Sequence, residues 1–198
     1  VLLRSGTVWS LEATLALPGG AVGDRFGESV ALTPDGGRAL VGAPLDDLAA
    51  RTNAGSAHVF VRTGTTWTYE AILVASDGGN GDYLGHVVAL SSDGSWALLG
   101  APFDTIGGVA EGGSARVFVR TGTTWAEEAT LLAPDRADGD LFGSSVALSA
   151  DGLRALVGVP YDATAAGAST GSARVFLRAG TAWAQETPQV LAIGARAP

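Results

Sequence analysis

The chain has 198 residues, a formal net charge of −8 at pH 7 and a hydrophobic share of 46%. That share is too high for a disordered chain, and no apolar run reaches the roughly 18 residues of a membrane-spanning helix. Cysteine is absent, which excludes disulfides, thiolate metal sites and cysteine nucleophiles. All twelve cations are Arg, spread along an acidic chain, which argues against nucleic acid as a partner. The chain has no Met, so we expect it to be processed or excised from a longer one.

A 58-residue repeat organises the sequence. Its register is uninterrupted by insertions or deletions, and the clearest marker is a tryptophan series: Trp9, Trp67, Trp125 and Trp183. Three full units follow a shorter N-terminal segment, in which Val1 to Gly6 aligns with Val59 to Gly64. Each unit is therefore a structural element of fixed geometry, of the kind that stacks on its neighbours.

Taken in chain order, the first full unit predicts four short β-strands. The first two are apolar and flank the turn sequence Thr33-Pro34-Asp35-Gly36, and Pro44 ends the second because Pro cannot donate to a ladder. The third alternates and is rich in branched and aromatic residues, and the fourth is more polar. No window has a helical period with caps. The predicted strands are 29–32, 39–44, 57–62 and 67–75.

A four-stranded antiparallel unit that recurs every 40 to 60 residues or so is typical of a β-propeller blade. We therefore predict an all-β fold of propeller-type blades, three full 58-residue repeats plus a partial one. The C-terminus of the last blade is expected to be degenerate, because Glu186-Thr187-Pro188-Gln189 replaces an apolar pattern. The predicted boundaries are 1–22 for a partial blade with the last two strands, then 23–80, 81–138 and 139–198.

Two short motifs recur within the repeat. The first unit has Phe26-Gly27 and Gly42-Ala43-Pro44, and the other two have Leu84-Gly85 with Gly100-Ala101-Pro102, and Phe142-Gly143 with Gly158-Val159-Pro160. This pattern resembles the FG-GAP repeat, the blade unit of integrin α-chain propellers, and is closer to its bacterial branch. The resemblance covers essentially the whole chain. It implies a propeller fold, an extracellular, cell-surface or periplasmic setting, and a role in protein interaction or cell adhesion, and it implies no reaction.

Integrin-type repeats often carry a calcium-binding Asp-x-Asp-x-Asp-Gly loop between the first two strands of a blade. Here that hairpin has one carboxylate per unit: Asp35, Asp93 and Asp151. One carboxylate cannot supply the roughly six to eight oxygen ligands of calcium. We interpret the Asp-Gly pairs as type I′ turns, which need positive φ.

The long loops of a blade share one side of the fold, which we call the long-loop face. It comprises the loops 45–54, 103–112 and 161–170 and the connections between blades. These loops vary among the units, and variable loops on a rigid scaffold favour binding. Their acidic residues predict attraction of cations or basic protein segments, with solubility as the alternative explanation. The candidate binding residues are Asp46, Asp47, Asp104 and Asp162.

The connections between blades offer a weak candidate metal site. Oxygen ligands stand at i, i+3 and i+5 in two of them: Asp77, Asn80 and Asp82, and Asp135, Asp138 and Asp140. The alternative is local bonding of these short side chains to backbone NH groups. We expect no cofactor, with calcium at these connections left open.

The tryptophan series is interpreted as packing between blades. Trp96 differs, because it replaces Arg38 and Arg154 beside a hairpin. An exposed Trp there would stack on a sugar or a partner, so Trp96 is a further candidate binding residue.

Catalysis has little support in the sequence. The two histidines occupy unrelated repeat positions, and His58, which replaces Arg116 and Arg174, is expected to be solvated. No nucleophile elbow and no phosphate-binding glycine loop are present. We predict that the chain is not an enzyme.

These observations favour a non-enzymatic propeller segment that mediates protein interaction or adhesion through the long-loop face. A carbohydrate-binding propeller and a purely structural surface array are the alternatives. The partner is expected to be a protein or a glycan, with no nucleic acid and no membrane span. Two open blade faces predict self-association or closure by further blades.

Overall fold

A computed structural model describes residues 1–49 and 51–186 of the chain. These residues form fourteen β-strands in four antiparallel sheets and contain no helix. The N-terminal sheet has two strands, β1 (Leu2–Ser5) and β2 (Val8–Leu11). The predicted all-β fold of propeller-type blades is confirmed. The predicted degenerate segment lies outside the described residues, apart from Glu186.

Three four-stranded sheets follow, which we name blade 1, blade 2 and blade 3, and each pairs its strands in chain order. Blade 1 consists of β3 (Val30–Leu32), β4 (Arg38–Ala43), β5 (Ser56–Thr63) and β6 (Thr66–Leu73). Blade 2 consists of β7 (Val87–Leu90), β8 (Trp96–Ala101), β9 (Ser114–Thr121) and β10 (Thr124–Leu131). Blade 3 consists of β11 (Ser145–Leu148), β12 (Arg154–Val159), β13 (Ser172–Ala179) and β14 (Ala182–Gln185).

The hairpin between the first two strands of a blade differs from the predicted type I′ turn. In blade 1 the Gly36 NH donates to the Thr33 carbonyl at 2.8 Å, and Gly36 has φ of +67°, whereas Asp35 is outside the positive-φ region. A type I′ turn needs positive φ at both central residues, so that prediction is wrong. The Asp35 carboxylate accepts bonds from the Thr33 hydroxyl at 2.6 Å and the Gly37 NH at 2.8 Å. These two bonds stabilise the turn and lower the pKa of Asp35.

The hydrophobic core lies between consecutive sheets rather than inside any one of them. Adjacent residues of β8 show this, because Leu98 packs toward blade 3 and Leu99 packs toward blade 1. Both faces of the second strand are thus covered, which explains its continuous apolar sequence. Leu15, in the segment that follows the N-terminal sheet, packs on a smaller cluster of blade 1.

Glycines in the two recurrent motifs let the blades approach through their backbones. A Cβ on Gly42 would collide with the carbonyl oxygen of Gly85, and a Cβ on Gly85 would collide with that of Ser56. Gly85 also has φ of +84°, a conformation that glycine adopts without strain. The same close approach joins blades 2 and 3 through Gly100, Gly143 and Ser114. The motif glycines therefore mark the contact between two blades.

A second contact joins the outer strands. Glu70 of blade 1 accepts bonds from the Arg120 guanidinium at 2.5 Å and the Trp125 indole NH at 3.0 Å in blade 2. We call this arrangement the Glu–Arg–Trp clamp. It recurs in Glu12 with Arg62 and Trp67, and in Glu128 with Arg178 and Trp183. The predicted packing role of the recurrent tryptophans is thereby confirmed for Trp67, Trp125 and Trp183.

The clamp glutamates are presented by a backbone irregularity. Glu70 and Glu128 are each the extra residue of a β-bulge in the outer strand of their blade. A bulge redirects a side chain that would otherwise follow the alternation of the strand. Here it directs a carboxylate toward the next blade.

Candidate interaction surface

The three long loops have the same backbone plan. Each contains a small antiparallel bridge at equivalent repeat positions: Leu48 with Arg51, Ile106 with Val109, and Thr164 with Gly167. The residues that follow, Asn53, Glu111 and Ser169, have φ of +51°, +52° and +52°. Non-glycine residues adopt this conformation only where the surroundings fix the backbone. The loops are therefore held in place rather than free.

The connection to the next blade supplies part of this support. The Gly81 NH donates to the Thr52 carbonyl, and the Thr52 NH donates to the Asn80 side-chain oxygen, both at 2.9 Å. The next loop repeats the pattern, because the Ala110 NH donates to Asp138 at 2.9 Å. The long loops of blades 1 and 2 are thus each bonded to the connection that follows them.

A buried polar network supports the base of each loop. In blade 2 the Arg116 side chain, only 1% exposed, bonds to Asp104 at 2.7 Å, Asp77 at 2.6 Å and Glu127 at 3.1 Å. Asp104 also accepts a bond from the Ser114 hydroxyl at 2.6 Å. Burial opposes the positive charge, but the bonds to these carboxylates raise the pKa of Arg116 above its ordinary value. The network is therefore a charged cluster that is satisfied inside the fold.

Blade 3 repeats this network, with Arg174 bonded to Asp162 at 2.6 Å and to Asp135 at 3.0 Å. Blade 1 has His58 in place of the arginine, with its Nε2 2.8 Å from the Ser56 hydroxyl and its Nδ1 3.3 Å from the Tyr69 hydroxyl. The prediction that His58 is solvated is wrong, because its side chain is almost fully buried. Burial lowers the pKa of His58, although Asp46 acts in the opposite direction.

The proximity of Ser56, His58 and Asp46 does not form a nucleophile-and-base arrangement. The Ser56 hydroxyl donates to Asp46 at 2.6 Å, so its proton points to the carboxylate rather than to the histidine. A serine nucleophile needs to donate to its general base. The same Asp–Ser pair also recurs beside arginine in the other two blades. The cluster is therefore a variant of the Asp–Ser–Arg arrangement at the base of the other two long loops, which we call the loop-base network.

The structure corrects the placement of most of the predicted binding residues. Asp104 and Asp162 are buried and bonded to serine and arginine, and Asp46 bonds to Ser56. Only Asp47 is exposed, with its carboxylate accepting the Asn53 NH at 2.8 Å. An acidic residue at the base of a loop satisfies neighbouring donors, so it is not presented to a partner.

The predicted metal ligands point to separate partners rather than to a common centre. Asp77 bonds to Arg116 and Asp135 bonds to Arg174, and Asn80 and Asp138 bond to the long loops. Asp82 and Asp140 are buried and accept the NH groups of Gly79 and Ala137, respectively. Burial raises the pKa of Asp82, although the Gly79 NH acts against this shift. In the ranges 1–49 and 51–186, no group of three or more His, Cys, Asp or Glu residues is placed to hold a metal ion.

Trp96 is a packing residue and not an exposed stacking platform, which corrects a further prediction. Its ring packs on the core between blades 2 and 3, with the Arg178 guanidinium 4.2 Å from the ring centroid. It also lies against Gly152 in the hairpin of the next blade. Arg38 at the equivalent position reaches the Gly94 carbonyl in the same way, at 3.0 Å. In blades 1 and 2 this position therefore contacts the following blade, although one residue is Arg and the other is Trp.

The exposed part of the long-loop face consists of the loop tips, which are the segments closed by the bridges described above, and of the exposed carboxylates near them. Exposed acidic residues on this face are Asp47, Asp77, Glu111, Asp135 and Asp138. A cleft of about 390 Å³ lies between a connection and a long loop, lined by Asp77, Asn80, Asp82, Asp104, Thr105 and Ile106. Sequence reasoning missed Thr105 and Ile106, although the 58-residue register marks Ile106 as the counterpart of Leu48.

The FG-GAP repeat model matches residues 9–60, 67–118 and 125–176. The chain belongs to the FG-GAP repeat family. No curated protein matches it. Each matched FG-GAP repeat begins in the outer strand of one sheet and ends in the third strand of the next, so the sequence repeat spans a contact between sheets. The described residues include no helix that is long and apolar enough to cross a membrane.

Proposed function

We propose that this FG-GAP repeat chain is a non-enzymatic protein-interaction module that binds its partner through the long-loop face. The observation that supports the proposal is a common loop frame with different tips. The frame is held by the buried Asp–Ser networks and the bonds to the connections. The tips read Leu-Ala-Ala-Arg at 48–51, Ile-Gly-Gly-Val at 106–109 and Thr-Ala-Ala-Gly at 164–167. Variable residues on a rigid frame are the usual basis of recognition.

The partner that fits this face is a basic protein segment. Five exposed carboxylates surround the tips, and the chain carries a net charge of −8. Such a field steers positively charged groups toward the surface. We propose an extracellular or cell-surface setting and a role in adhesion, in keeping with the family.

The test uses a panel of immobilised Arg- and Lys-rich peptides with Asp- and Glu-rich peptides for comparison. We expect the basic peptides to bind and salt to weaken the binding. The triple variant Asp47→Asn, Glu111→Gln and Asp138→Asn should bind at least roughly tenfold more weakly, because it removes three charges around the tips.

The matched control removes the same number of charges from the opposite side. Asp35→Asn, Asp93→Asn and Asp151→Asn keep an acceptor oxygen for the hairpin turns and should bind like the unaltered chain. Equal losses in both triple variants would contradict recognition by the long-loop face. Failure of every peptide to bind would favour the structural array, and specific binding of a glycan would favour the carbohydrate-binding alternative.

A further inference from the structure

Blade 3 carries a glutamate at the clamp position, but no Arg–Trp pair contacts it among the described residues. Glu186 occupies the repeat position of Glu12, Glu70 and Glu128. Its NH donates to the Val175 carbonyl at 2.8 Å, as the Glu12 NH donates to the Val1 carbonyl at 3.1 Å. Its side chain is 44% exposed and lies 3.9 Å from Arg154 of its own blade. Among the described residues, no Arg–Trp pair of another sheet contacts it.

The N-terminal sheet presents the complementary half. Arg4 and Trp9 lie opposite each other in the β1–β2 pair, with the same register as Arg62 and Trp67. Arg4 is exposed and Trp9 is 61% exposed. Within the part of the chain that the structure describes, neither side chain bonds to a glutamate.

Apolar residues beside these groups are complementary too. In the contact between blades 1 and 2, Phe118 and Trp125 of blade 2 pack on Leu40 and Val59 of blade 1. Leu40 and Val59 are fully buried there. The residues equivalent to Leu40 and Val59 in blade 3 are Leu156, which is 44% exposed, and Val175, which is half-buried. The residues equivalent to Phe118 and Trp125 in the N-terminal sheet are Leu2, which is 60% exposed, and Trp9.

We propose that blade 3 binds the N-terminal sheet of a second copy of this chain, head to tail. Glu186 of one copy completes a Glu–Arg–Trp clamp with Arg4 and Trp9 of the other, and Leu2 packs on Leu156 and Val175. The argument is continuity with an established contact, because the chain builds this contact three times within itself, and blade 3 and the N-terminal sheet carry the two halves of a fourth. The pairing of one exposed carboxylate with one exposed guanidinium fixes the orientation. The proposal is independent of the long-loop face.

The two surfaces are different, so the contact is heterologous. Heterologous contacts either close into a ring or continue as a filament. Light scattering and sedimentation over a range of concentrations should therefore give twice the 19.8 kDa chain mass or a higher multiple.

Charge reversal gives a sharp test of the pairing. Glu186→Arg places two positive groups opposite each other, and Arg4→Glu places two negative groups opposite each other. Each single variant should associate at least roughly tenfold more weakly, because like charges meet in the contact. The chain with both substitutions restores opposite charges and should associate again, as should an equimolar mixture of the two single variants.

Matched controls are Glu111→Arg and Arg51→Glu, which make the same charge changes on the long-loop face and should leave association unchanged. Circular dichroism of every variant checks that the sheets remain folded. The proposal is overturned if the unaltered chain is monomeric at all concentrations. It is also overturned if both reversals leave association unchanged, or if the double variant fails to recover it.

Discussion

Blade 2 and blade 3 share the residues Ala, Leu and Gly at three of the six positions of their second strands but have different surroundings. Blade 2 lies between two described neighbours, whereas blade 3 has one among the described residues. Leu98 is fully buried and its equivalent Leu156 is 44% exposed, and the Arg116 side chain is 1% exposed against 13% for Arg174. The same residues are therefore core or surface depending on the neighbour. Burial in this fold is a property of the contact between blades and not of the blade.

The largest expected difference concerns Arg116 and its equivalent Arg174. Arg116→Ala leaves the buried Asp104 without its cation and removes the shared partner of Asp77 and Glu127. Breaking a buried pair in this way costs about 3 to 5 kcal/mol of unfolding free energy. Arg174→Ala should cost less than half of that, because the Arg174 side chain is already 13% exposed and the repeat counterpart of Glu127 in blade 3 is the uncharged Gln185. Urea unfolding of the two variants measures the difference, and equal losses would contradict the comparison.

The second difference concerns the equivalent leucines. Leu98→Ala opens a cavity in a closed core and should cost about 3 kcal/mol of unfolding free energy. Leu156→Ala removes a partly exposed side chain and should cost less than about 1 kcal/mol. Both are measured by urea unfolding at low protein concentration, where the proposed head-to-tail contact is not populated. A loss at Leu156 as large as at Leu98 would show that this face is covered within one chain.

The third difference concerns the motif glycines. An alanine Cβ at position 100 would collide with the carbonyl oxygen of Gly143, and a backbone group cannot move away without separating the blades. Gly100→Ala should therefore cost about 2 kcal/mol of stability. At position 158 the added Cβ meets the Ser145 hydroxyl, which can rotate. Thermal unfolding compares the two variants, and Gly158→Ala should lower the melting temperature much less than Gly100→Ala. Equal decreases in the two variants would show that the close backbone approach at Gly100 does not matter for stability.

The fold was predictable because the repeat supplied three copies of every signal. The strands predicted at 39–44 and 57–62 agree with β4 and β5 to within one residue. The hairpin type was not predictable in the same way, since the Asp35 side chain favours a different turn from the one that the Asp-Gly pair suggests.

The loop-base networks were harder to predict because acidic loop residues are usually exposed. Asp104, Ser114 and Arg116 recur with the same spacing as Asp162, Ser172 and Arg174. That recurrence was the signal for a buried network, and it was read instead as surface charge. Trp96 was misplaced for a related reason, since the residue that covers its ring, Arg178, belongs to the next repeat.

The smallest predicted effect compares His58 of blade 1 with the arginines at its position in blades 2 and 3. Burial lowers the pKa of His58 below its ordinary value of 6.5, so the folded chain resists a proton that the unfolded chain accepts. Stability is therefore fully present above pH 6.5 and declines as the pH falls from 6.5 toward the lower pKa of the folded state. His58→Gln keeps a polar group beside Ser56 and should flatten this decline, by less than roughly 1 kcal/mol. Urea unfolding between about pH 5 and 7.5 measures the slope, in a range above the ordinary pKa values of Asp and Glu. The arginines at the same position in blades 2 and 3 stay charged throughout this range, so they add nothing to the slope. An unchanged slope in the His58→Gln variant would therefore show that His58 is not the group that takes up the proton.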